Sequence, residues 1–212
     1  MIHNVQISDS EGVGAHLHVY TLGVTIRDSV IINNSSAGVY LSPYGKGHLM
    51  ENNTISGNGH LKPDGSPRLG WYRREGIAVD ASSEHRILNN DIIDNAFGGI
   101  LLYKNCWEHA ESEPGSRPRT EHARANLIQG NLFSQQPFGV WVASRQSRDL
   151  RLMECGDPTP YDNPLNVVEL LPPIYQEYPS AYYGGYLLSV GTASVWPDFA
   201  EENMIIENRF EY

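Results

Sequence analysis

Two short segments of this chain carry residue types that suit chemistry on an acidic sugar. Their members are Trp71, Tyr72, Arg73, Arg74, Glu75 and Asp80 in the first segment, and Tyr103 and Lys104 in the second. β-Elimination in a uronate polymer requires that a carboxylate be neutralised, that the neighbouring C–H proton be removed and that the leaving glycosidic oxygen be protonated. Arginine suits the first step, lysine or tyrosine the second, and tyrosine the third. The two segments together therefore offer a residue type for each step.

Lys104 can serve as a base only if its pKa falls, because a free lysine is protonated at neutral pH. Nearby arginines would lower that pKa, whereas Asp80 would oppose the effect. The alternative is that Lys104 is a surface charge paired with Asp80 or Glu108.

A repeated phrase predicts the elements that position these segments. It reads Ile7-Ser8-Asp9-Ser10 in its first copy, and it returns at Ile31 and Ile55, with a spacing of 24 residues. Further copies start at Ile92 and Leu132. A fixed period of this size is typical of a stacked solenoid.

A second phrase, glycine followed by alternating apolar residues, recurs at Gly38, Gly76, Gly99 and Gly139. This period of two predicts strands with one buried face. We therefore expect an all-β fold, a right-handed parallel β-helix with coils of about 24 residues, the hand following from the preference of parallel crossovers. Asn34, Asn58 and Asn95 are expected to turn through the left-handed region and to form a ladder of amides from coil to coil.

Departures from the period predict two long loop insertions. The spacing from Ile55 to Ile92 is 37 residues and that from Ile92 to Leu132 is 40, which predicts inserts at 60–74 and 105–123. Residues 144–200 form an irregular region in which we expect one or two further coils. We treat 1–212 as one domain and expect that natural residues precede it, because the repeat is already under way at residue 2.

The outward residues of the second phrase are expected to stack in rows. One row would hold His18, Tyr40, Ala78, Leu101 and Trp141, and the next would hold Tyr20, Ser42, Asp80, Tyr103 and Ala143. Asp80 should then lie beside Tyr103 and Lys104. Such a wall, with aromatic rings and fixed positive charge, suits a linear sugar polymer.

The coils resemble those of the bacterial right-handed parallel β-helix repeat proteins, which include pectate lyases, alginate lyases, chondroitinase B and related epimerases and hydrolases. The shared pattern, Asn-x-Ile-x-x-Asn followed by Gly-Ile-x-Val, covers residues 2–143 and 203–210. The segments 75–80 and 99–106 are similar to a subgroup related to β-helix alginate lyases. That resemblance implies Lys104 as base and Tyr103 or Tyr72 as acid. The chain lacks the Asp cluster that binds calcium in pectate lyases, and Asp80, Glu75 and Glu84 are a poor substitute.

We therefore predict a polysaccharide lyase that cleaves an acidic, uronate-containing polymer such as alginate by β-elimination. The predicted catalytic residues are Lys104, Tyr103, Tyr72 and Arg74. The predicted substrate-binding residues are Arg73, Trp71, Asp80, Glu75, Trp141, Tyr40, His109, Arg117, Arg119 and Arg145. The prediction includes no metal site and requires no cofactor; calcium is compatible with it but has no support in the sequence.

Two other function classes stay open. A glycoside hydrolase needs two carboxylates about 5 Å or about 6.5–9.5 Å apart, for which Glu75, Asp80, Glu108 and Glu111 are candidates. A non-catalytic carbohydrate-binding or structural solenoid could use the same aromatic wall, because a fold does not settle function.

Composition limits the partners and the location. The net charge of −10 argues against nucleic acid, although residues 68–151 hold 11 Lys/Arg against 10 Asp/Glu. No apolar stretch is long enough to span a bilayer, and the first residues lack a signal-peptide pattern. We expect a monomer that is secreted or periplasmic. Cys106 and Cys155 are too few for a disulfide scaffold or a thiolate metal site, and one bridge between coils stays open.

Overall fold

The structure is a computed structural model. It describes residues 1–60, 74–103, 121–142, 200 and 202–211, together with two short backbone strands at Leu165–Asn166 and Ser194–Val195. The chain divides into two compact units. The first comprises Met1–Tyr103, Glu121–Ala143 and Phe199–Tyr212, and the second comprises Lys104–Thr120 and Ser144–Asp198.

Three all-parallel sheets build the first unit, as far as the described residues show it. The first sheet contains Ile2–His3 (β1), Thr25–Arg27 (β4), Leu49–Glu51 (β7), Arg86–Leu88 (β10), Leu127–Gln129 (β13) and Met204–Ile206 (β18). The second contains Gln6–Ser8 (β2), Val30–Ile32 (β5), Thr54–Ser56 (β8), Asp91–Ile93 (β11), Leu132–Ser134 (β14) and Arg209–Glu211 (β19). The third contains Ala15–Leu17 (β3), Val39–Leu41 (β6), Glu75–Asp80 (β9), Gly98–Tyr103 (β12) and Val140–Val142 (β15).

In the second unit, Leu165–Asn166 (β16) and Ser194–Val195 (β17) pair antiparallel. No helix in the described part of the chain has the length and apolar character needed to cross a bilayer.

The register of the second sheet confirms the predicted coil. Ile7 pairs with Ile31, Ile31 with Ile55, and Ile55 with Ile92. Each of the first five coils thus contributes one strand to each sheet, the last described coil contributes β18 and β19, and the strands of successive coils lie parallel beside one another. This arrangement is the predicted parallel β-helix.

The fifth copy of the repeat starts one residue later than predicted. Ile92 pairs with Phe133, 41 residues along the chain, rather than with Leu132. Leu132 and Phe133 are both large and apolar, so the sequence pattern does not distinguish them, and only Phe133 points inward and occupies the core position. The second insertion is therefore one residue longer than the sequence suggested.

The core is a stack of aliphatic residues, one from each coil. In the first sheet the buried middle residues of β4, β7, β10 and β13 are Ile26, Met50, Ile87 and Ile128. Full burial of such a side chain stabilises the fold by about 1.5–3 kcal/mol. The period of two in the sequence is thus the alternation of core and surface.

The predicted asparagine ladder is confirmed at the corner between the second and third sheets. The Nδ2 of Asn34 donates to Oδ1 of Asn58 at 2.9 Å, and Asn58 donates to Asn95 in the same way. Asn95 continues the ladder to Gln136 at 3.2 Å.

The predicted backbone conformation of these ladder residues is wrong. The left-handed positions are the residues one step earlier: Asn33 (φ 56°), Gly57 (φ 67°), Asp94 (φ 53°) and Gln135 (φ 57°). A left-handed residue at the strand end bends the chain, and the residue that follows it then carries the buried amide.

Two further ladders, which were not predicted from the sequence, occupy the other corners. Asn53, Asn90, Asn131 and Asn208 form the one between the first and second sheets. The one between the third and first sheets contains His48, His85, Asn126 and Asn203. Buried amides and imidazoles in these places satisfy backbone groups that leave the strands.

The long excursions all leave the coil next to the third sheet. Residues 61–73 lie between β8 and β9, at the entry to that sheet, and residues 104–120 follow β12 at its exit. Residues 143–203 separate β15 from β18. Strand β18 pairs directly with β13, and β19 with β14. The one or two coils expected in residues 144–200 lie outside the described residues, apart from β16, β17 and Ala200.

Candidate functional site

The outer face of the third sheet is the candidate site. Each of the three long excursions begins or ends at a strand of this sheet. Its strands β9 and β12 have six residues each, against three or fewer in every other described strand. Ile77, Val79, Ile100 and Leu102 belong to the core, so the intervening residues face outward. Asp80 pairs with Tyr103 across these strands, as the sequence predicted.

One row of outward residues starts at a different histidine than predicted. Tyr40 pairs with Ala78, Ala78 with Leu101, and Leu101 with Trp141. Tyr40 pairs with His16 on the other side, whereas His18 lies beyond the end of β3. The core position of Leu17 fixes this phase, because its neighbours in the strand must point outward.

Arg74 and Glu75 form a nearly buried ion pair where β9 begins. The Nη2 of Arg74 lies 2.6 Å from Oε1 of Glu75, and Nε donates to both carboxylate oxygens at 3.2 Å. The exposed fractions of the two side chains are 13% and 2%. Burial is the largest single influence on the pKa of Arg74 and lowers it, but the charge and hydrogen bond of Glu75, together with Tyr103 and Tyr40, outweigh burial and the pKa is raised overall.

The Arg74 guanidinium also reaches two tyrosines. Its Nη2 donates to the Tyr103 hydroxyl at 3.5 Å, and its Cζ lies 6.0 Å from the centre of the Tyr40 ring. A guanidinium at this distance is attracted by the ring quadrupole. Arg74 therefore connects neighbouring strands of the sheet.

Tyr40 donates a short hydrogen bond of 2.5 Å to Oδ2 of Asp80. Burial raises the pKa of Tyr40, and the charges of Asp80 and Tyr103 raise it further. Asp80 and Tyr103 are fully buried, whereas Tyr40 is half-buried. We call Tyr40, Arg74, Glu75, Asp80 and Tyr103 the polar cluster.

Trp141 lies in the same row as Tyr40, at the far strand of the sheet. Its side chain is 47% exposed and its ring centre lies 5.4 Å from that of Phe138. Phe97 contacts both rings, at 5.1 Å from Phe138 and 6.5 Å from Trp141. Neither phenylalanine was predicted as a site residue, although Phe138 directly precedes Gly139 and Phe97 stands two residues before Gly99, both glycines of the second phrase.

His16 contacts a serine at the other end of the face. Its Nε2 lies 2.6 Å from Oγ of Ser42. Burial lowers the pKa of His16, and the neighbouring His18 lowers it further. A neutral imidazole at this position can accept the serine proton.

The structure thus brings together five of the predicted site residues in the polar cluster and places Trp141 in the same row as Tyr40. The other predicted site residues lie outside the described residues: Lys104, Tyr72, Trp71, Arg73, His109, Arg117, Arg119 and Arg145. In the described ranges, no three His, Cys, Asp or Glu residues are grouped so that they could hold a metal ion.

Two of the four carboxylates named for the hydrolase alternative lie in β9. Glu75 and Asp80 stand at opposite ends of this strand, and five residue steps of an extended chain separate their Cα atoms by about 16 Å. Glu75 is also bound to Arg74. Glu108 and Glu111 lie outside the described residues.

A family model described as the right handed beta helix region matches residues 1–110 of the chain. The match spans every residue of the polar cluster. It agrees with the parallel sheets and with the predicted right-handed coil. Comparisons with curated proteins and with solved structures gave no match.

Proposed function

Because the chain belongs to the right-handed beta helix family, we propose that the outer face of its third sheet binds an acidic polysaccharide and that the polar cluster takes part in cleaving it by β-elimination. One observation carries the proposal. An arginine and two tyrosines are in mutual contact on a face next to which all the long excursions begin or end. Loops on a rigid scaffold commonly carry binding and catalysis.

Arg74 would neutralise the uronate carboxylate. Glu75 binds its Nε and Nη2 atoms, and a guanidinium offers a further edge that can hold a second carboxylate in a bidentate manner. Neutralising the carboxylate makes the adjacent C–H more acidic, because the charge that develops in the transition state is stabilised. Glu75 holds the guanidinium in place for this contact.

Tyr40 would protonate the leaving oxygen. Its raised pKa keeps the phenol protonated, so it enters the reaction as a proton donor. In the elimination, a base removes the proton beside the carboxylate, its electron pair forms the new C=C bond, and the glycosidic C–O bond breaks. The leaving oxygen takes the proton from Tyr40 as the C–O bond breaks, and in this step that proton leaves its hydrogen bond to Asp80.

Lys104 stays the proposed base. It follows Tyr103, the residue that pairs with Asp80 at the end of β12, and it lies outside the described residues. Tyr103 is buried against Arg74, which supports a positioning role rather than the acid role predicted for it. A polymeric substrate does not cross membranes, so the proposal includes a secreted or periplasmic location.

Non-catalytic carbohydrate binding is a second candidate function. The exposed Trp141 ring favours it, since an exposed indole offers a binding surface with or without nearby catalysis.

The test is ultraviolet absorbance over time with alginate, polygalacturonate and a glycosaminoglycan, because β-elimination creates an absorbing unsaturated uronate. The protein is compared with Lys104→Ala and Tyr40→Phe, and with Tyr20→Phe as a matched control at an exposed tyrosine. We expect absorbance to rise with one substrate, to be lost in the first two variants and to be kept in the control. Reducing ends without absorbance would support a hydrolase, and binding without either signal would support the second candidate.

A further inference from the structure

We infer that Ser42 and His16 form a pair of nucleophile and base that hydrolyses a small carboxylic ester. We call these two residues the dyad. The inference goes beyond the proposed β-elimination and does not depend on it, because it uses another reaction and other residues.

The register of the third sheet brings the two side chains of the dyad together. His16 in β3 pairs with Tyr40 in β6, and Ser42 stands two residues beyond Tyr40. Residues two apart in an extended chain point to the same side, so Ser42 shares the outer face with His16. The backbone N–H of Ser42 donates to the carbonyl of Leu17 at 2.9 Å, which continues the parallel pairing past the end of β6. Regular backbone therefore positions both groups.

The contact within the dyad has the geometry of an activated hydroxyl. Oγ of Ser42 lies 2.6 Å from Nε2 of His16, within the reach expected of a nucleophile and its base. Burial and the neighbouring His18 lower the pKa of His16, so the ring is neutral at neutral pH and can take the hydroxyl proton. The Tyr40 ring meets the His16 ring edge to face, with 5.2 Å between the ring centres, and supports its orientation.

A second pair of hydroxyl and imidazole shows what distinguishes the dyad. Oγ1 of Thr21 lies 3.2 Å from Nε2 of His48. Nδ1 of His48 accepts from the backbone N–H of Val24, so the proton of the neutral ring must lie on Nε2, and this ring cannot act as a base towards the hydroxyl. Among the described residues, His16 makes no such ladder bond. Its Nδ1 can carry the ring proton and leave Nε2 to accept.

The exposure of the two residues limits the substrate. Ser42 is 3% exposed, whereas His16 is exposed. The low accessibility of the hydroxyl restricts the acyl group to a small one, such as acetyl. The alcohol part of the ester can stay in solvent beside His16.

A donor for the oxyanion that forms on the ester lies next to the dyad. His18 directly follows Leu17, the residue whose carbonyl binds the Ser42 N–H, and its ring centre lies 5.4 Å from that of His16. An imidazole carries at least one ring N–H in either charge state. A donor that points to the oxyanion stabilises the transition state, and His18 takes this role.

The reaction has two steps. Oγ of Ser42 forms a bond to the carbonyl carbon while its proton passes to Nε2 of His16, and the carbonyl electron pair moves to the oxygen. When this intermediate collapses, the ester C–O bond breaks and the imidazolium protonates the departing alcohol oxygen. Water then attacks the acyl-serine and gives a proton to His16, which returns it to Oγ as the carboxylic acid leaves.

The test is labelling of the full chain with a fluorophosphonate, a reagent that phosphonylates activated serine hydroxyls, together with hydrolysis of p-nitrophenyl acetate. Peptide mass spectrometry locates the label. The variants are Ser42→Ala and His16→Asn, and circular dichroism verifies that each is folded. Ser82→Ala is the matched control, because the Ser82 hydroxyl is similarly buried but bonds the carbonyl of Leu41, at 3.3 Å, instead of an imidazole.

We expect the label on Ser42 in the wild-type protein and in Ser82→Ala, and its loss in His16→Asn. Ester hydrolysis should fall by at least about a hundredfold in Ser42→Ala and in His16→Asn, the lower end of what a general base contributes. A folded wild-type protein without label on Ser42, or equal labelling in His16→Asn, would overturn the dyad. Neither measurement uses a polymer, so this inference and the proposed β-elimination stand or fail separately.

Discussion

The imidazole rings of His48 and His85 stack 4.8 Å apart and within 5° of parallel at the corner between the third and first sheets. The backbone N–H of His48 donates to Nδ1 of His85 at 3.1 Å, and that of Val24 donates to Nδ1 of His48 at the same distance. A further proton on either Nδ1 would break one of these bonds and would place a charge in a buried ladder. The stack is therefore built from neutral rings.

Acid should destabilise the fold through this stack. Burial lowers the pKa of His85 to about 3, with a further contribution from His48, against 6.5 in the unfolded chain. The unfolded state thus binds more protons between these values, and stability that is complete above about pH 6.5 falls as the pH drops towards 3. The loss is at most about 5 kcal/mol, since one pKa unit corresponds to about 1.4 kcal/mol.

Urea unfolding at several pH values measures this loss. His85→Asn, which inserts the residue that the same ladder uses at Asn126 and Asn203, should flatten the curve below pH 6. An identical pH dependence in that variant would show that other groups cause the acid sensitivity.

Removing one amide from the ladder should destabilise the whole solenoid. Asn58 is fully buried, accepts from the backbone N–H of Asn34 and donates to Asn95 and to the carbonyl of Ile31. Asn58→Ala leaves buried partners without hydrogen bonds, which costs about 1–3 kcal/mol for each group. Chemical denaturation should show a lower midpoint than for Gln6→Ala, a change at an exposed position. Equal midpoints for the two variants would contradict the ladder's contribution.

A methyl group at Gly99 should be far more damaging than one at Gly12. A Cβ at Gly99 would lie 2.3 Å from the carbonyl oxygen of Gly139 and 2.6 Å from the Phe133 ring, whereas none of the surrounding atoms lies within 4 Å of a Cβ at Gly12. We expect Gly99→Ala to lose about 1–3 kcal/mol or more of unfolding free energy. Gly12→Ala should be close to neutral in the same thermal scan. A well-tolerated Gly99→Ala would mean that adjacent coils can separate locally.

The shape of the Arg74 guanidinium should matter as much as its charge. Arg74→Lys keeps the positive charge but loses the fork that binds Glu75, so we expect cleavage to fall at least about tenfold because the charge is no longer oriented. Arg27→Lys is the control, since Arg27 binds Asp28 on an exposed surface. Initial rates by ultraviolet absorbance, with circular dichroism for folding, distinguish a loss of orientation from a loss of structure. Full activity in Arg74→Lys would exclude an oriented bidentate contact.

The sequence predicted the coil correctly because the period of the repeat is uninterrupted in the first coils. Ile7, Ile31 and Ile55 give the register directly, and the same pattern located the outer face on which Asp80 meets Tyr103. The sequence pattern predicted the wrong residue at Leu132. Leu132 and Phe133 are both large and apolar and fit the repeated phrase equally well, and only packing in the core determines that Phe133 takes this position.

The contacts within the candidate site depend on side-chain reach, which a periodic pattern does not encode. Arg74 contacts Tyr103, 29 residues away, and Tyr40 bonds Asp80 at a distance of 40 residues along the chain. The histidine ladder was missed for a related reason. His48 and His85 replace asparagine in the ladder, so a pattern written in asparagines skips them.

The direct pairing of β13 with β18 shows that a long insertion between two coils leaves the stack intact. Ile128 and Ile205 are neighbours in the sheet although 77 residues separate them along the chain. Closing a longer loop costs little, about 0.6 kcal/mol for each doubling of its length, so this corner accepts large insertions while the stack keeps its register. Segments can thus be inserted, exchanged or lost at that one junction during evolution while the stacked coils stay unchanged.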